Sequence, residues 1–294
     1  MSRFFEDMQV NPLLANGLLA GLLAALACGL VGPYVIARRI VFLAGAIAHM
    51  AVGGIGAAIF LNYQYPEVFG WMRPLHGAVL TALAAAVVIG FIHDRVSERL
   101  DTLIGAMWAV GMAVGILLIK FTPGYHAELM SYLFGNLAFV SGDSVWLMAA
   151  LNLALVAAVL LTHKRLLAIC IDEQQARLQG VSVLWTHILL LAMVALTTIC
   201  LIQVVGLILV LALLTLPAAT AAHFVSRIAP MIVFSVLLAA ALTTLPRIGV
   251  YGTRLSPESS IVVAAASVYL LAVAGFRVAS RIRRGVRIRD PQPV

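Results

Sequence analysis

Charge is what this sequence has least of. Only 11% of its 294 residues are Asp, Glu, Lys or Arg, against about 25% in a soluble domain. A chain this poor in charge cannot clothe itself in a hydrated surface, which excludes a soluble globular enzyme and a disordered segment alike. Cysteine is scarce too. Cys28, Cys170 and Cys200 are odd in number and scattered, so neither a disulfide framework nor a zinc knuckle is encoded. Lysine occurs only at Lys120 and Lys164, and neither follows glycine. A GxxxxGK[ST] phosphate loop is therefore missing, and with it an ATPase site of that kind. Fixed-period repeats and Pro/Ser/Gly-rich linkers are missing as well, so residues 1–294 read as one domain.

What is present is apolar: 63% hydrophobic residues and a mean hydropathy of +1.07. About 20 apolar residues in helical form cross the roughly 30 Å hydrocarbon core of a membrane. Nine runs meet that length, at about 11–32, 40–61, 75–93, 103–119, 144–162, 183–201, 204–224, 229–246 and 257–277. Runs such as "LLLAMVALTTICLI" do not alternate polar with apolar, so helices rather than barrel strands are predicted. The fold class is thus all-α, a polytopic transmembrane bundle of about nine spans. Eight to ten are allowed, because only "QVV" parts the sixth and seventh and the stretch 125–140 is apolar enough to re-enter. The polar first segment, with Glu6 and Asp7, does not read as a signal peptide.

Loop charge sets the orientation. Arg38, Arg39, Arg95, Arg99, the 164–177 loop, Arg227 and the arginine-rich tail fall on one set of loops. Arg3, Arg73, Lys120, Arg247 and Arg254 fall on the other. The richer set is cytoplasmic, which puts the N-terminus outside and the C-terminus inside. The net charge of +7 then addresses anionic lipid headgroups rather than nucleic acid.

The spans themselves hold almost no Asp, Glu or Arg, so proton relays and voltage sensing find no groups to work with. What remains is a pore-forming subunit driven from outside, a passive channel, or a membrane scaffold. "GLLAG" (Gly17, Gly21), "GMAVG" (Gly111, Gly115) and "GGIG" (Gly53, Gly54, Gly56) let helices approach closely. Pro217 interrupts one backbone hydrogen bond in its span, as either a gating kink or an ordinary one. In the longest cytoplasmic loop, "DEQQARLQ" reads as a short polar helix. Asp172 and Glu173 stand at its N-terminus, Ala176 gives it a small face, and Gly180 fits its C-cap. Such a helix either docks a partner or simply joins two spans.

Several segments carry a resemblance. Acid, Ala, then Gly four residues on is similar to the coupling loop of ABC importer permeases. "YVIARRIVFLAGAIAHMAVGG" resembles the "RR…F.GD..AHA" stretch of the ABC-3 family, the permeases for zinc, manganese and iron ions. "DTLIGAMWAVGMAVG", "ELMSYLFGNLAFVSGDSV" and "VGLILVLALLTLPAATAAHF" look like further segments of that family, in the same order, over about residues 15–275. The resemblance implies a permease subunit of a prokaryotic plasma-membrane importer, with no bound cofactor, carrying a divalent metal ion. It implies a homodimer, two cytoplasmic ATP-binding subunits that grip Asp172, Glu173, Ala176 and Gly180, and an extracytoplasmic substrate-binding protein.

His49 is the most informative polar residue in the spans. It lies ten residues past Arg39, about 15 Å along a helix and so near mid-membrane. An imidazole there is either a metal ligand or a structural group bonded to a neighbouring helix. The family pairs this histidine with an aspartate one turn earlier, where this chain has Gly45. Zinc members add a histidine in the fourth span, where this chain has Ala109. With His49 alone, the missing ligands must come from a second copy of the chain or from backbone carbonyls, or the cargo is a metal chelate or another substrate. The methionines show no i, i+4 stripe. His76, His126, Glu128 and Asp143 read as solvated outer-loop groups, and His93 and His163 as anchors at cytoplasmic span ends.

Overall fold

The computed structural model describes residues 2–95, 100–123, 135 and 140–287. Among these the chain is helical throughout. Helix α1 (Ser2–Val10) leads into α2 (Pro12–Ala37), α3 (Val41–Gln64), the single turn α4 (Pro66–Phe69), α5 (Pro74–Arg95) and α6 (Leu100–Lys120). Then follow α7 (Gly142–Ile171), the short α8 (Glu173–Leu178), α9 (Val183–Val205), α10 (Leu207–Phe224), α11 (Ile228–Gly249) and α12 (Pro257–Arg287). The stretch 125–140, read as re-entrant, lies almost wholly outside the described residues, as do His126 and Glu128.

Local chemistry explains the boundaries. The Asn11 side chain accepts from the Leu13 N–H at 3.0 Å, with proline at the first helical position, so α2 starts capped. Ser141 caps α7 through the Ser144 N–H. Gly206, at φ +82°, breaks the apolar run between α9 and α10, a backbone state that L side chains rarely adopt. Each long helix coincides with one of the nine apolar runs. However, α7 and α12 run well past 162 and 277, where the hydropathy signal stops. Charged residues end an apolar run, but they do not end a helical hydrogen-bond ladder.

Eight of these helices are long and apolar enough to cross a membrane. The apolar part of α6, Ile104–Lys120, is shorter. Contacts at the two ends of the bundle accord with a crossing α6. At one end the Tyr251 hydroxyl donates to the Asp7 carboxylate at 2.6 Å, a bond that raises the phenol pKa above its ordinary value. At the other end Arg38 pairs with Glu173, and Tyr34 meets His163 at 2.6 Å. Residues 38 and 173 share an end when α3, α5, α6 and α7 all cross. Large side chains left exposed by the bundle, among them Leu153, Leu160, Leu161, Leu270 and Leu271, are suited to hydrocarbon. The chain is therefore an integral, multi-pass membrane protein.

Helices α2, α3, α9 and α10 form the interior. Their buried faces are built from small residues such as Ala24, Ala25 and Ala27 in α2 and Ala46, Ala48 and Ala51 in α3. α3 packs most extensively on α6 and α5, whereas α2 packs on α11, α10 and α7. Two glycine pairs bring α3 and α6 together. A Cβ added at Gly53 would lie 2.8 Å from the Gly111 carbonyl oxygen, and one at Gly56 would lie 2.4 Å from that of Gly115. The pairs advance together along both helices, so α3 and α6 run parallel with their backbones in contact.

Candidate functional site

That close approach positions His49. The residue sits on α3 at 8% exposure, and α6 covers it with two side chains one turn apart. The imidazole stacks on Trp108, ring centroids 4.4 Å apart and planes 24° from parallel. Its Nδ1 lies 2.7 Å from the Met112 Sδ. One turn before His49, the same Trp108 ring covers Gly45, where an added Cβ would sit 2.5 Å from the ring edge. Position 45 thus has no room for a side chain, because the tryptophan fills the space a carboxylate would take. Ala109 lies on the exposed side of α6, away from His49. Sequence reasoning singled out His49 but missed Met112 and Trp108, and the two helices that meet here are far apart in the chain. Since α3 is enclosed by its own neighbours, His49 does not lie on an open face where a second copy could add another imidazole directly.

Gly45→Asp is therefore not a simple restoration of a ligand pair. It is expected to overpack the α3–α6 seam at about 1–3 kcal/mol, and the charge adds up to about 3 kcal/mol for insertion near the membrane centre. The thermal midpoint in detergent should fall, and adding Trp108→Ala should recover the steric part. An unchanged midpoint in Gly45→Asp alone would mean that Trp108 does not pack as described.

The loop at the arginine-rich end forms the expected short helix. Asp172 caps α8, its carboxylate accepting from the Gln174 and Gln175 N–H groups at 2.8 and 3.2 Å. Gly180 ends it at φ +81°. The Gly180 N–H bonds the Arg177 carbonyl and the Val181 N–H reaches back to the Ala176 carbonyl, each at 3.0 Å. This doubly bonded left-handed stop is one that glycine favours. One expectation needs correcting. Ala176 does not face outward: at 2% exposure it packs with Ile169 and Val183 of its own chain. Its small size seats α8 on the bundle. The side chains that face away are those of Gln174, Gln175, Arg177 and above all Leu178, at 89% exposure. Glu173 is held by Arg38, whose other Nη donates to the Ile169 carbonyl at 2.8 Å.

Pro217 is buried within α10, which continues as a helix to Phe224. His163 is bonded to Tyr34 rather than lying idle at the interface. His93 stacks on His187, a buried imidazole that sequence reasoning passed over. His76 accepts from the Arg73 N–H within its own loop, and Asp143 is exposed in the first turn of α7. Among the described residues no three His, Cys, Asp or Glu side chains converge as a metal cluster.

A bundle of long apolar helices, eight of them long enough to cross a membrane, with a capped short helix at its arginine-rich end and no GxxxxGK[ST] motif in its sequence, has the architecture of a membrane permease. The chain belongs to the ABC 3 transport family, which matches residues 10–275. It is 38% identical over 227 residues to a probable metal transport system membrane protein of Chlamydia trachomatis, covering 77% of this chain and 76% of that protein. It is 28% identical over 276 residues to a manganese transport system membrane protein of Halalkalibacterium halodurans, covering 92% of this chain and 89% of that protein. Among solved structures, PsaBC from Streptococcus pneumoniae in complex with a Fab superposes with a TM-score of 0.80 at 28% identity. That match covers 92% of this chain and 94% of the other. The protein is thus the membrane-spanning permease of an ABC transport system.

Proposed function

We propose that this permease imports a transition-metal ion, drawn from zinc, manganese and iron. ATP is hydrolysed on separate cytoplasmic subunits docked at α8. Two copies of the permease form the translocating unit in a prokaryotic plasma membrane, and an extracytoplasmic binding protein delivers the cargo. Pro217 gives α10 a point at which to bend during the cycle. The observation that carries the reading is His49: a buried imidazole with its Nδ1 against the Met112 thioether, on the most enclosed of the spans. The names of the chlamydial and Halalkalibacterium relatives support a metal cargo. A second reading, a metal chelate as cargo, is favoured by the filled carboxylate position at Gly45.

The experiment is uptake into proteoliposomes holding permease and ATP-binding subunits, with Zn2+, Mn2+ and Fe2+ offered together. ATP-dependent uptake of a bare ion is expected, and His49→Ala should lower it about tenfold or more, the loss of roughly 1.4 kcal/mol of binding. Uptake without ATP would indicate a passive channel, and ATP-driven uptake only of a chelate would favour the second reading. Wild-type rates in a folded His49→Ala variant would remove the histidine from the route.

A further inference from the structure

We propose that Met112 is the specificity-determining residue of the transport site. Its thioether is the second protein donor beside His49, and it tunes the site toward borderline and soft ions such as Zn2+, Fe2+ or Cu+ and against Mn2+. The proposal rests on the reading that His49 lies on the metal route. The donor set is one imidazole nitrogen and one thioether sulfur, 2.7 Å apart and contributed by two parallel helices. A metal bonded to nitrogen at about 2.1 Å and sulfur at about 2.3 Å holds the two roughly 3–3.6 Å apart. An opening of less than about 1 Å between α3 and α6 would therefore admit the ion.

A carboxylate is what this site lacks among the described residues. Position 45 carries no side chain and its space is filled by the Trp108 ring, Ala109 lies on the far side of α6, and no carboxylate joins His49 in a cluster among the described residues. Mn2+ and Mg2+ prefer carboxylate, carbonyl and water, whereas thioether and imidazole suit softer ions. The stacked indole strengthens this choice. It closes one face of the imidazole to water, and a hard divalent ion gains least where neither water nor an anion is at hand. Met50 adds a third soft group nearby, its Sδ lying 2.8 Å from where a Cβ on Gly111 would be.

Binding can be read separately from transport. Trp71, Trp146 and Trp185 are exposed, so changing them to phenylalanine leaves Trp108 as the only indole, directly beside His49. Titration of this variant in detergent with Zn2+ is expected to change the Trp108 emission, and Mn2+ should need about tenfold more metal. Met112→Leu, close in volume, should weaken the Zn2+ response about tenfold and lower the Zn2+ to Mn2+ uptake ratio equally. Met112→Cys should keep both, since it restores a soft donor whether or not leucine packs well. Should His49→Ala leave emission and uptake untouched, the route itself is misplaced. Should His49→Ala abolish both while Met112→Leu keeps the wild-type Zn2+ to Mn2+ ratio, the route stands and the role of Met112 is overturned. A wild-type protein that prefers Mn2+ over Zn2+ overturns it equally.

Discussion

Leu178→Asp is expected to strip the ATP-binding subunits from the permease while leaving the permease folded. Leu178 is 89% exposed at the end of α8, and Ile171 before the helix is 72% exposed. Both belong to the arginine-rich end of the bundle, which the charge distribution assigns to the cytoplasm. Burying a leucine in a partner's groove contributes about 1.5–3 kcal/mol, and a carboxylate in its place adds a desolvation cost on top. The loss should exceed about 3 kcal/mol, or more than a hundredfold in affinity. Co-purification of the ATP-binding subunits and ATP-driven uptake should both disappear. The thermal midpoint of the isolated permease should stay within about 1 °C, since surface substitutions change stability little. Wild-type co-purification in Leu178→Asp would show that α8 is not the docking knob.

The burial of Ala176 separates this outcome from a damaged helix. Ala176→Arg must push a long charged side chain between Ile169 and Val183, so it should uncouple the permease by unseating α8 and lower the thermal midpoint as it does so. Gly180→Val acts differently again. Nothing lies within 4 Å of an added Cβ there, so its cost of about 1–2 kcal/mol is purely that of a left-handed backbone. Of these three variants, only Leu178→Asp is expected to lose the partner without loss of the monomer's stability.

Much of this architecture was legible because membranes impose one simple requirement. Every span must be a long apolar run, and each of the nine runs falls on a helix. What the sequence hid was side-to-side packing. Met112 and His49 are 63 residues apart, and a methionine or tryptophan in an apolar run has no signature of its own. A signal did exist in the glycines. Gly53 with Gly111 and Gly56 with Gly115 form one parallel seam, and that register sets His49 opposite residues 107–108, about one turn from Met112. Ala176 was misread for a related reason. On a helix of six residues a small side chain is equally consistent with an outward notch and an inward seat, and only the packing of Ile169 and Val183 decides between them.

Charge reversal at Arg38 is expected to break transmission between α8 and the His49 helix without releasing the ATP-binding subunits. Arg38 caps α2, and only Arg39 and Ile40 separate it from α3. Arg39 is held at φ +56°, a sparsely populated state for a side-chain-bearing residue, so this turn is tight. From it Arg38 grips both the Ile169 carbonyl and Glu173. These contacts tie the end of α7 and the start of α8 to the turn that opens α3, so with the ATP-binding subunits docked at α8 as proposed, a push there is expected to reach the helix that carries His49. The pair is 13% and 30% exposed, so its worth lies between that of surface and buried bridges, about 1–2 kcal/mol. In Arg38→Glu two carboxylates face each other instead. Uptake should fall about tenfold or more, while hydrolysis continues on subunits still held by Leu178. Glu173→Arg alone should behave similarly. Combining the two restores an ion pair of reversed sense, though the Ile169 carbonyl still loses its donor, so uptake should recover in part and exceed that of either single variant. Failure of the double variant to exceed the singles, with subunits still bound, would show that the push reaches α3 by another contact.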